Sequence, residues 1–263
     1  MGIAVQSHYF GVGRVVGWAE PGVGAVATQS RVDVTYGPLA IELLKAGRSP
    51  EDTLRGLTAA DVMSEVRQVA IVDATGRIAV HTGDKCIADA GHRTGDGYSV
   101  QANMMRRDTV WDAMAAAFER TTGDLAPRML AALDAAEGEG GDIRGKQSAA
   151  MIVVRGELST RPWERLIDVR VDDSTDPLGE LRRLVALSKA YEMRGPSEVL
   201  GDNPELAFWQ AVTMAAAGQA AAALPLLGRA FAADPGWREL LRRLPAAGMF
   251  PDDPELLATL TGD

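Results

Sequence analysis

The feature that most constrains the fold is the grouping of strand-like segments between pairs of helix-like segments. Two glycine-rich apolar segments, 2–7 and 22–29, open the chain and are typical of buried strands that pack closely on a neighbour. Leucines at helical spacing in 39–46, and the start signal Ser49-Pro50-Glu51-Asp52 after them, predict two helices. The chain therefore begins with strands and continues with a helix pair.

The same grouping recurs further along the chain. A hairpin is predicted for 67–73 and 77–82, and the polar segment 83–97 is predicted to be a long loop. Two helices, two strands and a last helix are then predicted, at 110–118, 125–138, 149–154, 167–171 and from 177 onwards. Strictly alternating strands and helices would favour a parallel sheet, whereas grouped elements favour an α+β fold with two sheets sandwiched between helical layers.

Composition favours a globular protein with a core of small residues. Hydrophobic residues make up 46% of the chain but aromatic residues only 5%, and alanine and glycine take their place. The formal net charge is -9, which argues against a nucleic-acid partner because phosphate binding needs clustered Lys and Arg.

Cysteine content and hydropathy indicate the cellular compartment of the protein. The single Cys86 cannot form an internal disulfide, so a reducing compartment suits the chain. No apolar run approaches the length of a membrane span, and the first residues lack the pattern of a signal peptide. We expect a cytoplasmic protein with no membrane partner.

The C-terminal part differs in composition from the rest. Prolines and glycines in 194–204 predict a linker between a first domain, 1–193, and a helical tail, 205–263. Glycine, alanine, leucine and proline in the tail follow a tetratricopeptide-like pattern, at Gly218, Ala223, Leu227, Ala230 and Pro235. Any alanine-rich helical hairpin is an equal alternative. A lone repeat cannot bury its own apolar face, so the tail is a candidate contact for a protein partner.

The most distinctive motif is the run 140–150, a glycine-rich turn that leads into a predicted strand. Together with shorter motifs in the same order, it resembles the domain of unknown function 1028 family across roughly residues 1 to 175. Those motifs are Ala4-Val5-Gln6-Ser7, Gly22-Val23-Gly24-Ala25-Val26-Ala27-Thr28-Gln29, Tyr36-Gly37-Pro38, Arg67-Gln68, Thr82-Gly83, Ser99-Val100-Gln101 and Asn103.

The resemblance implies a four-layer αββα sandwich of the N-terminal-nucleophile hydrolase (Ntn-hydrolase) superfamily. Its members mostly cleave amide bonds, using a Thr, Ser or Cys at the mature N-terminus whose α-amine is the base. The resemblance therefore implies an amidohydrolase acting on a small amide or peptide-like substrate.

The start of the chain departs from that pattern. Relatives carry a further strand before the segment matching 2–7, and Gly2, exposed if Met1 is removed, has no nucleophile. The alternative is a non-catalytic binding or assembly protein that keeps the sandwich fold. A sheet edge left unpaired by a missing strand favours pairing between chains, so we expect a homo-oligomer.

Four residues are candidates for catalysis. Asp142 and Arg144 lie two apart in the glycine-rich turn, where Arg can clamp a carboxylate or form an ion pair that shapes the turn. Ser148 ends that turn, where it could donate to a bound carbonyl or complete the turn's hydrogen bonds. Asn103 is a candidate oxyanion donor, since an amide N–H needs no deprotonation, or a strand-end cap.

Three further residues are candidates for substrate binding. Gln68 belongs to the family motifs, Gln147 lies beside Ser148, and His92 lies in the polar segment, where it could act as an acid or base or simply be solvated. The three histidines show no ligand spacing, so no metal site is expected. No cofactor is expected either, because the glycine-rich segments lack both the dinucleotide fingerprint and a phosphate-loop lysine.

Overall fold

The protein is a mixed α+β molecule. The computed structural model describes residues 1–193 and 203–262. Contacts divide the chain into two compact units, Met1–Val185 and Ala186–Asp263. Within the described ranges, no helix is both long and apolar enough to span a bilayer.

The first unit contains nine strands in three antiparallel sheets among its described residues. The strands are β1 (Gly2–Ser7), β2 (Gly17–Glu20), β3 (Gly24–Ser30), β4 (Arg67–Asp73), β5 (Ile78–Thr82), β6 (Gly91–Gly95), β7 (Tyr98–Ala102), β8 (Ser148–Val153) and β9 (Ile167–Val171). The sheets have the strand orders β1-β8-β9, β2-β3-β4-β5 and β6-β7.

Two pairs of helices follow the strands of this unit as predicted, and a fifth helix begins in it and continues past Val185. They are α1 (Tyr36–Lys45), α2 (Pro50–Ala60), α3 (Val110–Arg120), α4 (Leu125–Gly138) and α5 (Pro177–Met193). The predicted start of α2 is confirmed: Ser49 Oγ accepts a hydrogen bond from Asp52 N, and Pro50 occupies the first helical position. The predicted hairpin of 67–73 and 77–82 is also confirmed, with its second strand beginning at Ile78, one residue later than predicted.

The core of the first unit has three principal regions. Small side chains of β1, β3, β4 and β8 pack together between the two larger sheets, among them Val5, Ala27, Ala70 and Ala150. Side chains of α1 and α2 pack on β3 and β4, and side chains of α3, α4 and α5 pack on β7, β8 and β9. Valine and alanine make up this layer in equal numbers, in agreement with the small-residue core that the low aromatic content led us to expect.

Three strands, β2, β6 and β7, are not among the predicted elements. The segment 83–97 is not a loop throughout, because 91–95 forms β6 and pairs with β7. Its middle residues, His92, Arg93 and Thr94, are exposed, so β6 lacks the alternating apolar pattern that identifies a half-buried strand. The four residues of β2 were also missed, since a segment that short carries little periodicity.

The second unit is helical and has a core of its own. Its helices are α6 (Pro204–Ala216), α7 (Ala220–Ala233), α8 (Gly236–Arg243) and α9 (Pro254–Thr261). Phe208, Leu227, Leu241 and Leu260, one from each helix, are buried in one cluster. The predicted linker 194–204 lies outside the described residues except for Asn203, which caps α6, and Pro204, which begins it. The domain bounds at 193 and 205 stay a prediction.

Candidate functional site

A cavity of about 280 Å³ lies in the first unit, bordered by β1, β3, β7, α3 and α4. Most of its lining is apolar, and the polar side chains come from β1, β3, the segment 99–103 and the turn before β8. The polar residues of the lining include Gln6, Ser7, Gln29, Ser30, Ser99, Gln101, Asn103, Asp142 and Arg144. Apolar walls with a few convergent polar groups are typical of a small-molecule site.

Two backbone segments are fastened together at this cavity. Ile143 N donates to Met104 O at 2.8 Å, and Arg106 N donates to Gly141 O at 3.1 Å. Gly141 has a φ of 59°, a left-handed conformation that glycine adopts without steric cost. The segment after β7 and the turn before β8 therefore form one hydrogen-bonded structure that positions Asn103, Asp142 and Arg144.

Asp142 and Arg144 form a bidentate ion pair. Arg144 Nη2 lies 2.6 Å from Asp142 Oδ2, and Arg144 Nε lies 3.0 Å from Oδ1. The same carboxylate accepts from the backbone N of Arg144 at 2.9 Å. Burial acts to raise the pKa of Asp142, but the hydrogen bonds from Arg144 outweigh burial and hold that pKa below its usual value. The carboxylate therefore stays ionised and anchors a guanidinium whose side chain is 41% exposed.

Asn103 lies half-buried in the cavity lining and is held by Gln68. Asn103 Nδ2 donates to Gln68 Oε1 at 3.1 Å, and Gln29 Nε2 donates to the same oxygen at 2.7 Å. The Gln68 carboxamide thus fixes the orientation of two amide side chains that line the cavity.

Gln68 itself does not line the cavity and is completely buried. Its Nε2 lies within bonding distance of three acceptors, Thr82 Oγ1, Gly91 O and Ala102 O, at 2.9 to 3.1 Å. Because its oxygen also accepts two bonds, the carboxamide has no capacity left for a ligand. Gln68 therefore positions neighbouring residues.

His92 lies outside the cavity lining, on the exposed strand β6. Its Nδ1 is 2.9 Å from Thr82 Oγ1, and partial burial of the ring, with a smaller contribution from His81, lowers the pKa of His92. Within the described ranges, no group of three or more His, Cys, Asp or Glu side chains could hold a metal ion.

Ser148 and Gln147 do not line the cavity either. Ser148 is fully buried, donates through Oγ to Tyr9 O and accepts from Val12 N at 3.1 Å. Its hydroxyl therefore ties the segment after β1 to β8. Gln147 Nε2 donates to Asp173 Oδ1 at 3.0 Å, which joins the turn to the end of β9. Asn103, Asp142 and Arg144 thus line one cavity. The other four candidates, Gln68, His92, Gln147 and Ser148, are not part of its lining.

Backbone strain is also found at this cavity. Ser30 has a φ of 68° and Met104 a φ of 59°, and both residues line the cavity. Left-handed conformations of residues other than glycine cost free energy and cluster at functional sites. The outliers therefore add support for a functional role of this cavity.

The sequence prediction missed four residues at or near this site. Gln6, Gln29 and Gln101 line the cavity, and all three fall within the motifs that carried the family resemblance. Glu137, on α4, has a buried Oε1 with no hydrogen-bond partner in the described part of the chain, and burial raises the pKa of this carboxyl. No sequence signal separates Glu137 from other acidic residues of α4.

Comparisons with known proteins agree with the motif resemblance. The family model described as "Family of unknown function (DUF1028)" matches residues 1–181. The crystal structure of protein SPO2555 from Silicibacter pomeroyi, assigned to the same family model, is similar with a TM-score of 0.64 and 26% sequence identity. That similarity covers 80% of this chain and 84% of the other. No curated protein matches the chain. Since the family model spans well over half of the sequence, the chain belongs to the DUF1028 family of unknown function.

Proposed function

We propose that the first unit is an amide hydrolase whose cavity binds a small amide or peptide-like molecule. The observation that carries the proposal is the convergence of Asn103, Asp142 and Arg144 at one cavity. An amide donor and an anchored guanidinium in the lining of one largely apolar cavity suit a ligand with carbonyl groups and an apolar body.

The packing of the sheets supports the reaction class. The facing sides of β1-β8-β9 and β2-β3-β4-β5 share a layer of small buried side chains, and helices pack on the other side of each sheet. We propose that this arrangement is the αββα sandwich of the Ntn-hydrolase superfamily, as the motif resemblance implies. Fold alone does not establish a reaction, so the proposal depends on the side chains at the cavity.

The chemistry assigns a different role to each of the three residues. When a nucleophile attacks an amide carbonyl, negative charge develops on the oxygen, and Asn103 Nδ2 can donate a hydrogen bond to that oxygen. Arg144 orients the substrate through its exposed N–H groups, and Asp142, already ionised and paired, holds Arg144 in place. Asp142 is therefore a positioning residue and not the general base.

The attacking group must be a hydroxyl or thiol within reach of Asn103. The superfamily uses an N-terminal Thr, Ser or Cys for this step, and the hydroxyls of Ser7, Ser30 and Ser99 line the cavity. Attack forms an acyl-enzyme ester or thioester and releases the amine with a proton, and water then hydrolyses the acyl group.

Ligand binding without catalysis is a second candidate function. It is favoured by the engagement of Ser148, whose hydroxyl is fully used by Tyr9 and Val12, and by the pairing of Asp142. With this function the helical tail would be a docking element in an assembly. A homo-oligomer and a protein partner of the tail are parts of the same proposal.

Turnover of an amide library distinguishes the two functions. Release of primary amines would be measured for the wild-type chain and for Asn103→Ala, Arg144→Ala and Arg93→Ala. We expect Asn103→Ala to lower kcat by about 100-fold, as loss of an oxyanion donor does. Arg144→Ala should mainly raise KM.

Arg93→Ala is the matched control. Arg93 lies on the exposed strand β6, outside the cavity lining, and forms a surface ion pair with Asp112 of α3. It should behave as the wild type. Amide ligands that bind without amine release would favour the binding function, and equal activity of all four proteins would contradict the proposed role of this cavity.

A further inference from the structure

The strand β9 has one edge that pairs with no other strand among the described residues. β9 is the outer strand of the β1-β8-β9 sheet and pairs with β8 alone, in antiparallel register. It lies on the side of the sheet away from β1, so its free edge is independent of whatever pairs with β1. A free edge presents N–H and C=O groups that a strand of another chain can use.

The register of the sheet decides which backbone groups of β9 face this edge. Val154 N donates to Met1 O, so the even-numbered residues of β8 direct their backbone groups to β1 and the odd-numbered ones to β9. The residues of β9 that lie opposite odd-numbered residues of β8 are themselves odd-numbered. The N–H and C=O groups of Asp168 and Arg170 therefore point away from β8.

The side chains of these two residues carry charges that have no partner in the described part of the chain. Asp168 and Arg170 are both exposed, and neither forms a hydrogen bond or an ion pair with a described residue. Because they are two residues apart in a strand, their side chains lie on the same face of the sheet. The free edge thus presents a carboxylate and a guanidinium next to each other.

The order of these charges along β9 is self-complementary. When two copies of β9 pair antiparallel about Val169, Asp168 of each copy lies opposite Arg170 of the other, and opposite charges at such positions attract. Ile167 lies opposite Val171 in the same register. Asp168 and Arg170 then form hydrogen-bonded pairs, because their backbone groups are the ones that face the free edge.

Neighbouring registers of the same two strands bring like charges together. Antiparallel pairing about residue 168 places Asp168 opposite its own copy, and pairing about residue 170 places Arg170 opposite its own copy. Like charges directly opposite each other are destabilising. Charges on an edge strand commonly oppose pairing between chains, but here their order selects a single register.

Exposed apolar side chains flank both ends of this edge. Trp163, which is 72% exposed, and Leu166 precede β9. Phe10, which is 54% exposed, lies near the other end of β9, since the next residue, Gly11, donates through N to Asp172 O at 2.9 Å. Antiparallel pairing brings the start of one β9 to the end of the other. The two ends then add apolar contacts to the paired strands, and large aromatic side chains are enriched at such interfaces.

We propose that the protein forms a homodimer in which β9 pairs with β9 of a second copy, antiparallel and centred on Val169. The pairing joins the β1-β8-β9 sheets of both copies into one continuous sheet. β9 contributes no residue to the lining of the cavity, so the dimer is independent of the reaction proposed above.

The experiment is a charge-swap series on the full chain, with the dissociation constant of the dimer measured by sedimentation equilibrium. Asp168→Arg places arginine opposite arginine at both charged positions, and Arg170→Asp places aspartate opposite aspartate. Each single substitution thus replaces two attractive pairs with two repulsive ones. We expect each to raise the dissociation constant by at least about 10-fold.

The two single variants should bind each other. In an equimolar mixture the introduced arginine lies opposite the introduced aspartate, and the remaining native charges also pair with opposite sign. We expect a heterodimer with a dissociation constant within about 3-fold of the wild-type value. The double variant Asp168→Arg/Arg170→Asp exchanges the two charges and should restore the homodimer. Such rescue shows that the single variants are folded.

Asp96→Arg is the matched control, because Asp96 is exposed in the turn between β6 and β7 and its replacement changes the net charge as Asp168→Arg does. It should dimerise as the wild type does. The proposal is wrong if the wild type stays monomeric as its concentration is raised, or if neither single substitution weakens the dimer. It is equally wrong if neither the mixture nor the double variant recovers the dimer, or if Asp96→Arg weakens the dimer as much as Asp168→Arg.

Discussion

Two groups of polar residues in the first unit differ in how fully their hydrogen bonds are used. Gln68 and Ser148 are completely buried, and every polar atom of their side chains bonds to the protein. Asn103 is held by Gln68, Arg144 is held by Asp142 with a longer bond to Ser7 Oγ, and both residues line the cavity. We conclude that Gln68 and Ser148 build the cavity, whereas Asn103 and Arg144 are free to contact a ligand.

The two groups should therefore respond differently to substitution. Removing a saturated buried group leaves its former partners unpaired, and the cost appears in the free energy of unfolding. Removing a group that faces the cavity leaves few partners unpaired, and the cost appears in binding or turnover. The following predictions are ordered by the expected loss of stability.

Replacement of Gln68 should have the largest effect. Gln68→Ala removes the acceptor of Gln29 and Asn103 and leaves Gly91 O and Ala102 O without this donor. We expect a loss of about 3–5 kcal/mol in the free energy of unfolding, measured by urea denaturation. Gln147→Ala, which loses one bond outside the cavity, should change stability by less than about 0.5 kcal/mol. Equal effects of the two substitutions would contradict the distinction.

Replacement of Ser148 should have the next largest effect. Ser148→Ala leaves Tyr9 O and Val12 N without their hydroxyl partner, at a cost of about 2 kcal/mol. Ser159→Ala is the matched control, because Ser159 lies in the loop between β8 and β9 and bonds only to nearby residues of that loop. If Ser148→Ala also abolished amide turnover without loss of stability, its hydroxyl would be catalytic after all.

The Asp142–Arg144 pair should give a pH-dependent contribution. The pKa of Asp142 is lower in the folded protein than its usual value of 3.8, so the carboxylate stabilises the fold above that value. The contribution is lost as the pH falls below 3.8 and through the lowered pKa. Because Arg144 is partly exposed, we expect Asp142→Asn to cost only about 1 kcal/mol at pH 7.

The measurement is urea denaturation of wild type and Asp142→Asn between pH 7 and pH 2. The difference in stability should shrink as the pH is lowered. A difference that is constant across this range would show that the carboxylate charge contributes nothing.

Replacement of Asn103 should have the smallest effect on stability and a large one on function. Asn103→Ala removes a single bond to Gln68, whose oxygen keeps Gln29 as a donor, so we expect a loss below about 1 kcal/mol. The fall in kcat proposed above should appear in the same preparation. A loss of several kcal/mol would place Asn103 in the group that builds the cavity.

Much of the fold followed from patterns in the sequence. The Ser49-Pro50 signal fixed the start of α2 because its capping bond forms between residues three apart. The apolar run of β8 predicted a buried strand, and five of its six residues are buried. In contrast, β6 carries exposed polar side chains and is a strand only because β7 supplies its hydrogen bonds. A pattern based on burial cannot detect such a strand.

The residues predicted for the candidate site also fall into a group that the sequence identified correctly and a group that it did not. Asn103, Asp142 and Arg144 were chosen from the sequence for their chemistry, and all three line the cavity. Ser148 was chosen by similar reasoning and Gln68 from the family motifs, yet both are buried and saturated. Exposure and hydrogen-bond saturation depend on residues far away in the chain, such as Ala102 for Gln68 and Tyr9 for Ser148.

By itself the sequence determined most helix starts, most strands, the motifs of the family and the three candidate residues that line the cavity. Those properties depend on residues close together in the chain, where spacing and composition are sufficient evidence. Only the tertiary structure decided which polar groups face the cavity and which are buried and saturated. Strand pairing and cavity lining join residues about a hundred positions apart, and no local pattern encodes such distances.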